Sequence, residues 1–265
     1  MIEVTLRSSA GVAHSARLRE PCARDELTSS GAGPTALTAW LAGLLEAQQE
    51  TELSKEYVWS LSLADRDRLA AATHALCFGD RVASTVVCAT CSQPFELGFS
   101  LADLLQALEP EPATHLASGP DGRGVYGLAD GREFRLPSAA DERALAGLAS
   151  DAAAKELARR CVVSGDASQN PDALERAMNA LAPLIDLDLT GICALCGAEQ
   201  KVHFDMVSFF QSSLASERRL LIREIHRLAA VYHWSWAEII ALPRSMRQAH
   251  VALIESERSA LRAPS

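Results

Sequence analysis

Long apolar runs are missing from this sequence, and so is the pattern of a leader peptide. No run approaches the roughly 20 apolar residues that a helix needs to cross a bilayer. The first residues do not combine a basic start, an apolar stretch and a cleavage site. We therefore expect a cytoplasmic protein without a membrane partner.

Positive charge is also scarce. The 265 residues carry a formal net charge of -9, with a pI near 5.3. This argues against a general role at nucleic acid or at a membrane surface, because both are anionic. The segment from Leu214 to Ser265 differs, with eight arginines, five glutamates and no lysine or aspartate, a local charge of +3. Such a segment suits contact with a partner, and a solvated helix face gives the same count.

Motifs of catalysis are absent too. The chain has no Gly-rich phosphate loop, no His-Glu-x-x-His helix and no nucleophile elbow. The glycine-rich stretch "HLASGPDGRGVYG" is explained better by a linker or the approach to a hairpin than by a phosphate cradle. We therefore expect a protein that is not an enzyme.

Cysteine pairs are what the sequence does have. Cys88 and Cys91 lie in "VVCATCSQPF", and Cys193 and Cys196 lie in "GICALCGAEQ". A C-x-x-C turn lets two thiolates bind one metal ion, and structural zinc takes four ligands, so the two pairs predict one shared structural zinc site. A thioredoxin-like redox pair would stand at a helix N-terminus, whereas both pairs here precede strand-like segments. Redox or disulfide use and incidental cysteines are the alternatives to zinc.

The other three cysteines, together with His203, are given no metal role. Cys22, Cys77 and Cys161 stand alone among apolar neighbours, so we expect reduced thiols in the core. His203 is near enough to be a spare ligand, but four cysteines already complete the shell.

An internal repeat is the second positive signal. Each half shows a hairpin, Arg-x-Pro, an acidic pair, helices, a strand, C-x-x-C, a strand and a helix. The matched positions are Arg19, Pro21, Asp25 and Glu26 in the first half and Arg135, Pro137, Asp141 and Glu142 in the second. Coincidence between short, composition-biased matches is the alternative. The pattern predicts an α+β, mainly helical protein of two related halves that share a zinc-ribbon-like site, followed by C-terminal helices.

Domain boundaries follow from this order. We place the first half at residues 1–109, a linker rich in Pro, Gly and Ser at 110–124, the second half at 125–213 and a C-terminal helical segment at 214–265.

Periodicity locates the main elements. Two strands are expected around a turn at residues 8–11, and helices at 34–50 and 63–80, the second ending at Gly79. A hairpin is expected at Asp130-Gly131, then a helix from Ser138 with Asp141 in its capping box, and helical segments at 155–163 and 171–185. The apolar stripes of the first two helices are Leu37, Leu41 and Leu44, and Leu69, Ala72 and Leu76.

The C-terminal segment predicts a helix, a tight turn, a short helix and a last helix near Ser245. Ser235 and Glu238 form a capping box, and Trp234 and Ile239 take the two positions of a hydrophobic staple. A DNA-reading helix-turn-helix is a possible interpretation, which the acidic remainder of the chain disfavours. The apolar face of the first helix is Leu214, Leu221, Ile225, Leu228 and Tyr232.

These residues resemble a known family. The run "LLIREIHRLAAVYHWSWAEIIALPRSMRQAHVALIE" is similar to the C-terminal signature of the baseplate hub assembly proteins of contractile phage tails and related injection systems. "LSLADRDRLAAATHALCFGDRV" before the first C-x-x-C, and "FRLPSAAD" followed by "LARRCV", resemble earlier blocks of that family. The sequence departs from the pattern at Ala89 and Ala194, where proline is frequent, at Ser92, where glycine is frequent, and at Met246-Arg247, where paired arginines are usual.

The resemblance implies a non-enzymatic assembly component or chaperone. Its expected partners are other baseplate, hub or spike proteins, with no small-molecule substrate and no nucleic acid. By position, the metal-binding set is Cys88, Cys91, Cys193 and Cys196. The residues predicted for partner binding are Tyr232, Trp234, Trp236, Glu238, Arg244 and Arg247. A zinc-containing transcription regulator that uses the C-terminal helices, or a dithiol oxidoreductase, remains an alternative.

Overall fold

The computed structural model describes residues 1–7, 15–29, 31–46, 56–109 and 116–262. Within these ranges the protein is α+β and mainly helical, and its strands form small antiparallel sheets. The predicted fold class is confirmed at this level. No helix in these ranges is both long enough and apolar enough to span a membrane.

The described strands build three hairpins and one four-stranded sheet. They are β1 (Ile2–Thr5), β2 (Ser15–Leu18), β3 (Arg81–Val87), β4 (Pro94–Ser100), β5 (Leu116–Ser118), β6 (Val125–Leu128), β7 (Glu133–Arg135), β8 (Val162–Ser164), β9 (Asp186–Ile192) and β10 (Glu199–Asp205). The hairpins pair β1 with β2, β3 with β4 and β9 with β10, and the larger sheet has the order β5-β6-β7-β8.

The described helices lie between and after these strands. They are α1 (Ala23–Thr28), α2 (Pro34–Leu44), α3 (Tyr57–Ser60), α4 (Leu63–Phe78), α5 (Leu101–Ala107), α6 (Ala139–Leu145), α7 (Ser150–Cys161), α8 (Pro171–Leu181), α9 (Met206–Tyr232), α10 (Trp236–Ala241) and α11 (Arg244–Arg262).

Local signals in the sequence explain several element ends. Gly79 ends α4 at φ 90°, a left-handed conformation that side chains disfavour. Ser138 and Asp141 form the predicted capping box of α6, and Ser235 and Glu238 form that of α10. The predicted turn at residues 8–11 and the predicted helical residues 47–50 lie outside the described ranges.

Other predictions need correction. Residues 116–118, placed in the linker, form the edge strand β5. Val162 and Val163, predicted as helical, belong to β8, where β-branched side chains are favoured. The predicted boundary at 213/214 falls inside α9, which runs unbroken from Met206.

Only part of the stripe predicted for α4 is buried. Leu69 is buried, but Ala72 is half-buried and Leu76 is exposed. The first turns of α4 are instead buried on all sides, because β1, α2, α5 and α9 pack around this helix. The stripe of α2 is confirmed, since all three of its leucines are buried.

Three apolar cores cross the predicted domain boundaries. The largest joins α2 and α4 to Phe204, Met206 and Phe210 of β10 and α9. The second packs the four-stranded sheet against α8 and includes Ala64 of α4. The third packs Ala23 of α1 against α9, α10 and α11. Residues 1–109 therefore contribute to every one of these cores. In each core they pack together with residues of the later predicted parts.

A buried carboxylate ties the C-terminal helices to the start of the chain. Glu26 of α1 accepts hydrogen bonds from Arg244 at 3.0 Å and from Arg247 at 2.8 Å, and all three side chains are buried. Arg244 also binds Glu217 at 2.8 Å, and Arg247 binds Glu224 at 2.7 Å. Each buried guanidinium therefore has two carboxylate partners, which offset the cost of removing its charge from water.

We predict that Glu26→Gln lowers the free energy of unfolding by about 3 kcal/mol, because it leaves two buried arginines with less compensating charge. Urea unfolding measures the change. Glu3→Gln is the matched control: Glu3 and Arg17 form an exposed pair at 3.7 Å, so its loss should cost less than about 1 kcal/mol. Equal effects of the two substitutions would contradict a structural role for the buried contacts of Glu26 with Arg244 and Arg247.

Candidate metal centre

Two hairpins bring the four paired cysteines to one place. Cys88 and Cys91 lie in the turn between β3 and β4, and Cys193 and Cys196 lie in the turn between β9 and β10. All four strands have seven residues, and a helix follows each hairpin directly, α5 after β4 and α9 after β10. The predicted order of strand, C-x-x-C, strand and helix is therefore present twice.

The sulfur atoms are spaced as ligands of one ion. All four lie within 4.8 Å of one another, with 3.6 Å between Cys88 Sγ and Cys196 Sγ and 3.8 Å between Cys91 Sγ and Cys193 Sγ. A disulfide would need about 2.05 Å, so these are free thiols. Four sulfurs at about 2.3 Å from a tetrahedral zinc ion would lie about 3.8 Å apart. The donor set and its spacing therefore fit a tetrahedral metal ion.

The two turns have the same backbone conformation. The N–H of Ser92 donates to the carbonyl oxygen of Cys88 at 2.9 Å. At the matching place the N–H of Gly197 donates to the carbonyl oxygen of Cys193 at 2.8 Å. Both donors are left-handed, with φ 56° at Ser92 and 72° at Gly197. Ser92 therefore closes the same turn as glycine, at a conformational cost that glycine does not carry.

Contacts between the hairpins hold the two turns in register. The side-chain oxygen of Gln200, a buried residue of β10, accepts the N–H of Ala89 at 2.8 Å. Gly191 of β9 faces Leu97 of β4, and a Cβ at Gly191 would lie 2.7 Å from Leu97 Cδ1. The hairpins can approach this closely because residue 191 lacks a side chain.

Backbone amides point at the sulfurs and change their acidity. The N–H of Cys91 lowers the pKa of the Cys88 thiol to about 6. The N–H of Ala198 also favours the thiolate of Cys196, but desolvation and then the neighbouring cysteine sulfurs outweigh it and raise the pKa of Cys196 to about 12. Without a cation the four groups cannot all carry charge, and a bound metal ion supplies that positive charge.

The structure separates the six residues predicted for partner binding into two groups. Tyr232 and Trp234 stack with ring centroids 4.7 Å apart, and the His250 ring lies 5.1 Å from that of Trp234. Trp236 is 55% exposed, and Glu238 is exposed and completes the cap of α10. These four residues lie together at the junction of α9 and α10.

Arg244 and Arg247 form the other group. Both are buried, and their guanidinium groups bind glutamates of the same chain. Within the chain they attach α11 to α1 and α9. Partner contact stays a prediction for all six residues.

Sequence reasoning missed two residues that position these groups. Gln200 joins the two turns, and nothing in a single polar residue of a strand signals that contact. Glu26, the acceptor for both buried arginines, is singled out only as a repeat position matching Glu142. The remaining cysteines agree better with expectation: Cys161 is buried and Cys22 and Cys77 are half-buried, and burial raises the pKa of Cys77 and of Cys161 to about 12.

Comparison with known proteins adds no relative. The chain matches no family model, no curated protein and no solved structure.

We predict that the chain, purified under reducing conditions, binds one divalent metal ion, expected to be zinc, and that chelation partly unfolds it. Elemental analysis measures the stoichiometry. Cys88→Ser or Cys193→Ser should lose the ion because a serine hydroxyl is a poor zinc ligand. Cys161→Ser removes a buried thiol outside the cluster and should keep it. Metal-free wild-type protein with its normal fold would contradict this assignment.

We also predict that Gly197→Ala lowers the free energy of unfolding by about 1 kcal/mol, because alanine disfavours a left-handed φ. A Cβ there meets no atom within 4 Å, so the loss should be purely conformational and the metal stoichiometry unchanged. Thermal unfolding of the metal-bound protein measures it. As a comparison, Gly43→Ala in α2 also meets open space but lies in a helix, where alanine is favoured, and should not destabilise.

Proposed function

We propose that this protein is a non-enzymatic component or chaperone for baseplate assembly in a contractile, phage-tail-like injection system, built around a structural zinc ion. It acts by binding other baseplate, hub or spike proteins. The C-terminal motif "VYHWSWAEIIALPRSMR" carries the proposal, through its resemblance to that family of assembly proteins. The support from the fold is that this motif forms a defined, partly exposed surface.

That surface is the junction of α9 and α10. His233 ends α9 in a left-handed conformation, φ 56°, and the chain turns at once into α10. Tyr232, Trp234 and His250 pack as an aromatic group, and Trp236 projects beside it with more than half of its surface exposed. Half-exposed aromatic residues on a rigid turn are typical of residues that dominate binding energy at interfaces.

The zinc ion in this proposal holds the fold together and does no chemistry. Four thiolates complete a tetrahedral shell, which leaves no position for water or substrate. The pairs stand in hairpin turns, and the helices α5 and α9 begin only after β4 and β10. None of these four cysteines therefore stands at a helix N-terminus that would activate its thiol. This supports a structural metal over a dithiol oxidoreductase.

We further propose that the chain arose by internal duplication. Arg19 forms a bidentate pair with Asp25 at 2.6 and 2.8 Å. Arg135 forms the same pair with Asp141 at 2.6 and 2.9 Å. In both copies the aspartate also accepts the backbone N–H three residues before it, from Cys22 and from Ser138.

The neighbours of these two units also correspond. The carbonyl of Pro21 accepts the N–H of Arg244 at 3.0 Å, and that of Pro137 accepts the N–H of Leu63 at 3.0 Å. Three residues after each donor an arginine binds the glutamate of the unit: Arg247 binds Glu26, and Arg66 binds Glu142. Each unit is thus held by the start of a helix, α11 in one case and α4 in the other. Several different kinds of contact thus correspond between the two units, which supports duplication over coincidence.

Co-expression with the baseplate, hub and spike proteins of a contractile injection system from the same genome tests the function. We expect a stable complex with one of them, and we expect Trp236→Ala to weaken it at least tenfold because a large exposed aromatic contact is lost. Isothermal titration with the purified partner gives the affinity. Leu148→Ala is the matched control, since Leu148 is similarly exposed at 47% and lies outside the motif.

Two results would contradict the proposal. One is the absence of a complex with any of these proteins. The other is binding to duplex DNA that survives physiological salt, which would favour the transcription regulator because non-specific contacts with phosphate weaken steeply as salt rises.

A further inference from the structure

The most exposed large apolar side chains of the described residues, after Met1, are gathered at the metal centre. Ile192 is 71% exposed, Leu195 67% and Val87 65%. Each stands directly before a cysteine of the cluster, so the convergence of the sulfurs brings all three to the same end of the paired hairpins. We call this group, Val87, Ile192 and Leu195, the apolar tip.

The strand geometry explains why these side chains point outward. Successive side chains on a strand face opposite sides. Cys88 and Cys193 are turned inward and are 1% exposed, so their predecessors Val87 and Ile192 face solvent. The same strand orientation that turns the two cysteines toward the metal site therefore exposes Val87 and Ile192. A metal site does not require an apolar residue before each cysteine, since the residue before Cys91 is the polar Thr90.

The tip is also free of charge. Residues 82–95 and 189–198, which cover both turns and the adjoining strands, contain no acidic or basic residue, although 22% of the chain is charged. The nearest charged positions are Arg81 and Glu96 on one hairpin and Asp188 and Glu199 on the other. An uncharged stretch of surface with three exposed apolar side chains is unusual for a free protein surface and indicates a contact.

We propose that the apolar tip inserts into an uncharged apolar cavity of a partner protein of the baseplate. This proposal rests on the proposed function and adds a second contact surface to the aromatic turn at α9 and α10. The chemistry of the tip selects the partner, because a charged recess would lose its hydration without gaining an ion pair. A metal ion held by the four cysteines would keep the two turns rigid, so that little freedom would be lost on binding.

Two other occupants fit the tip less well. A second copy of this chain also carries a net charge of -9, so two copies repel each other. A membrane surface would be contacted with lysine or arginine beside the apolar groups, and the tip has neither.

The test uses the full-length chain and the purified baseplate partner of the co-expression experiment. The variants are Val87→Ser/Ile192→Ser/Leu195→Ser and the single substitution Leu195→Glu. We expect each to weaken binding at least tenfold, with unchanged metal content and circular dichroism. The control Leu148→Ser/Val163→Ser removes apolar side chains of 47% and 52% exposure elsewhere and should bind as wild type. Leu195→Glu keeps the test valid if the triple variant folds poorly.

The possible outcomes separate the two proposals. If Trp236→Ala weakens the complex and both tip variants bind normally, the tip proposal is wrong and the proposed function stands. If wild-type protein forms no complex with any baseplate protein, both are wrong. A tip-dependent dimer in light scattering, or tip-dependent sedimentation with vesicles of phosphatidylcholine and phosphatidylglycerol, would overturn the tip proposal in favour of a second copy or a membrane.

Discussion

The meeting of four cysteine sulfurs is the contact on which the rest of the structure depends. Cys88 and Cys193 are separated by more than a hundred residues, yet the sulfurs of their two turns lie within 4.8 Å. Closing a loop of that length costs conformational entropy, which several contacts must offset. A metal ion shared by two turns is well suited to this, because its binding free energy becomes available only when both hairpins are folded. β10 and α9, which follow the second turn, pack against α2 and α4 in the largest core.

A second long-range contact joins the start of the chain to its C-terminal helices. Glu26 near the start binds Arg244 and Arg247 near the end, and this buried group lies beside the third apolar core. The C-terminal helices are therefore part of the folded body and are not a separate tail. Under the proposed function, their contact surface is limited to what this packing leaves exposed, and it includes the aromatic turn between α9 and α10. The charges of this buried group are compensated only when α1, α9 and α11 are packed together in this arrangement.

The sequence was informative where a signal is local. The capping box of Ser235 and Glu238, the end of α4 at Gly79 and the hairpins around both C-x-x-C turns follow from backbone preferences of a few residues, and the structure confirms them. Spacing and residue type also sufficed to select the four cysteines that converge. What the sequence did not indicate depends on distant packing: the exposure of Leu76, the strand at residues 116–118 and the burial of Arg244 and Arg247. No local pattern distinguishes an arginine for a partner from one for a buried glutamate.

The central claim is that these four thiolates hold one zinc ion. X-ray absorption at the zinc edge of the purified protein measures the ligands directly. We expect four sulfur atoms at about 2.3 Å and no nitrogen or oxygen in the first shell. A shell with nitrogen or oxygen ligands, or protein that folds without zinc, would contradict the claim.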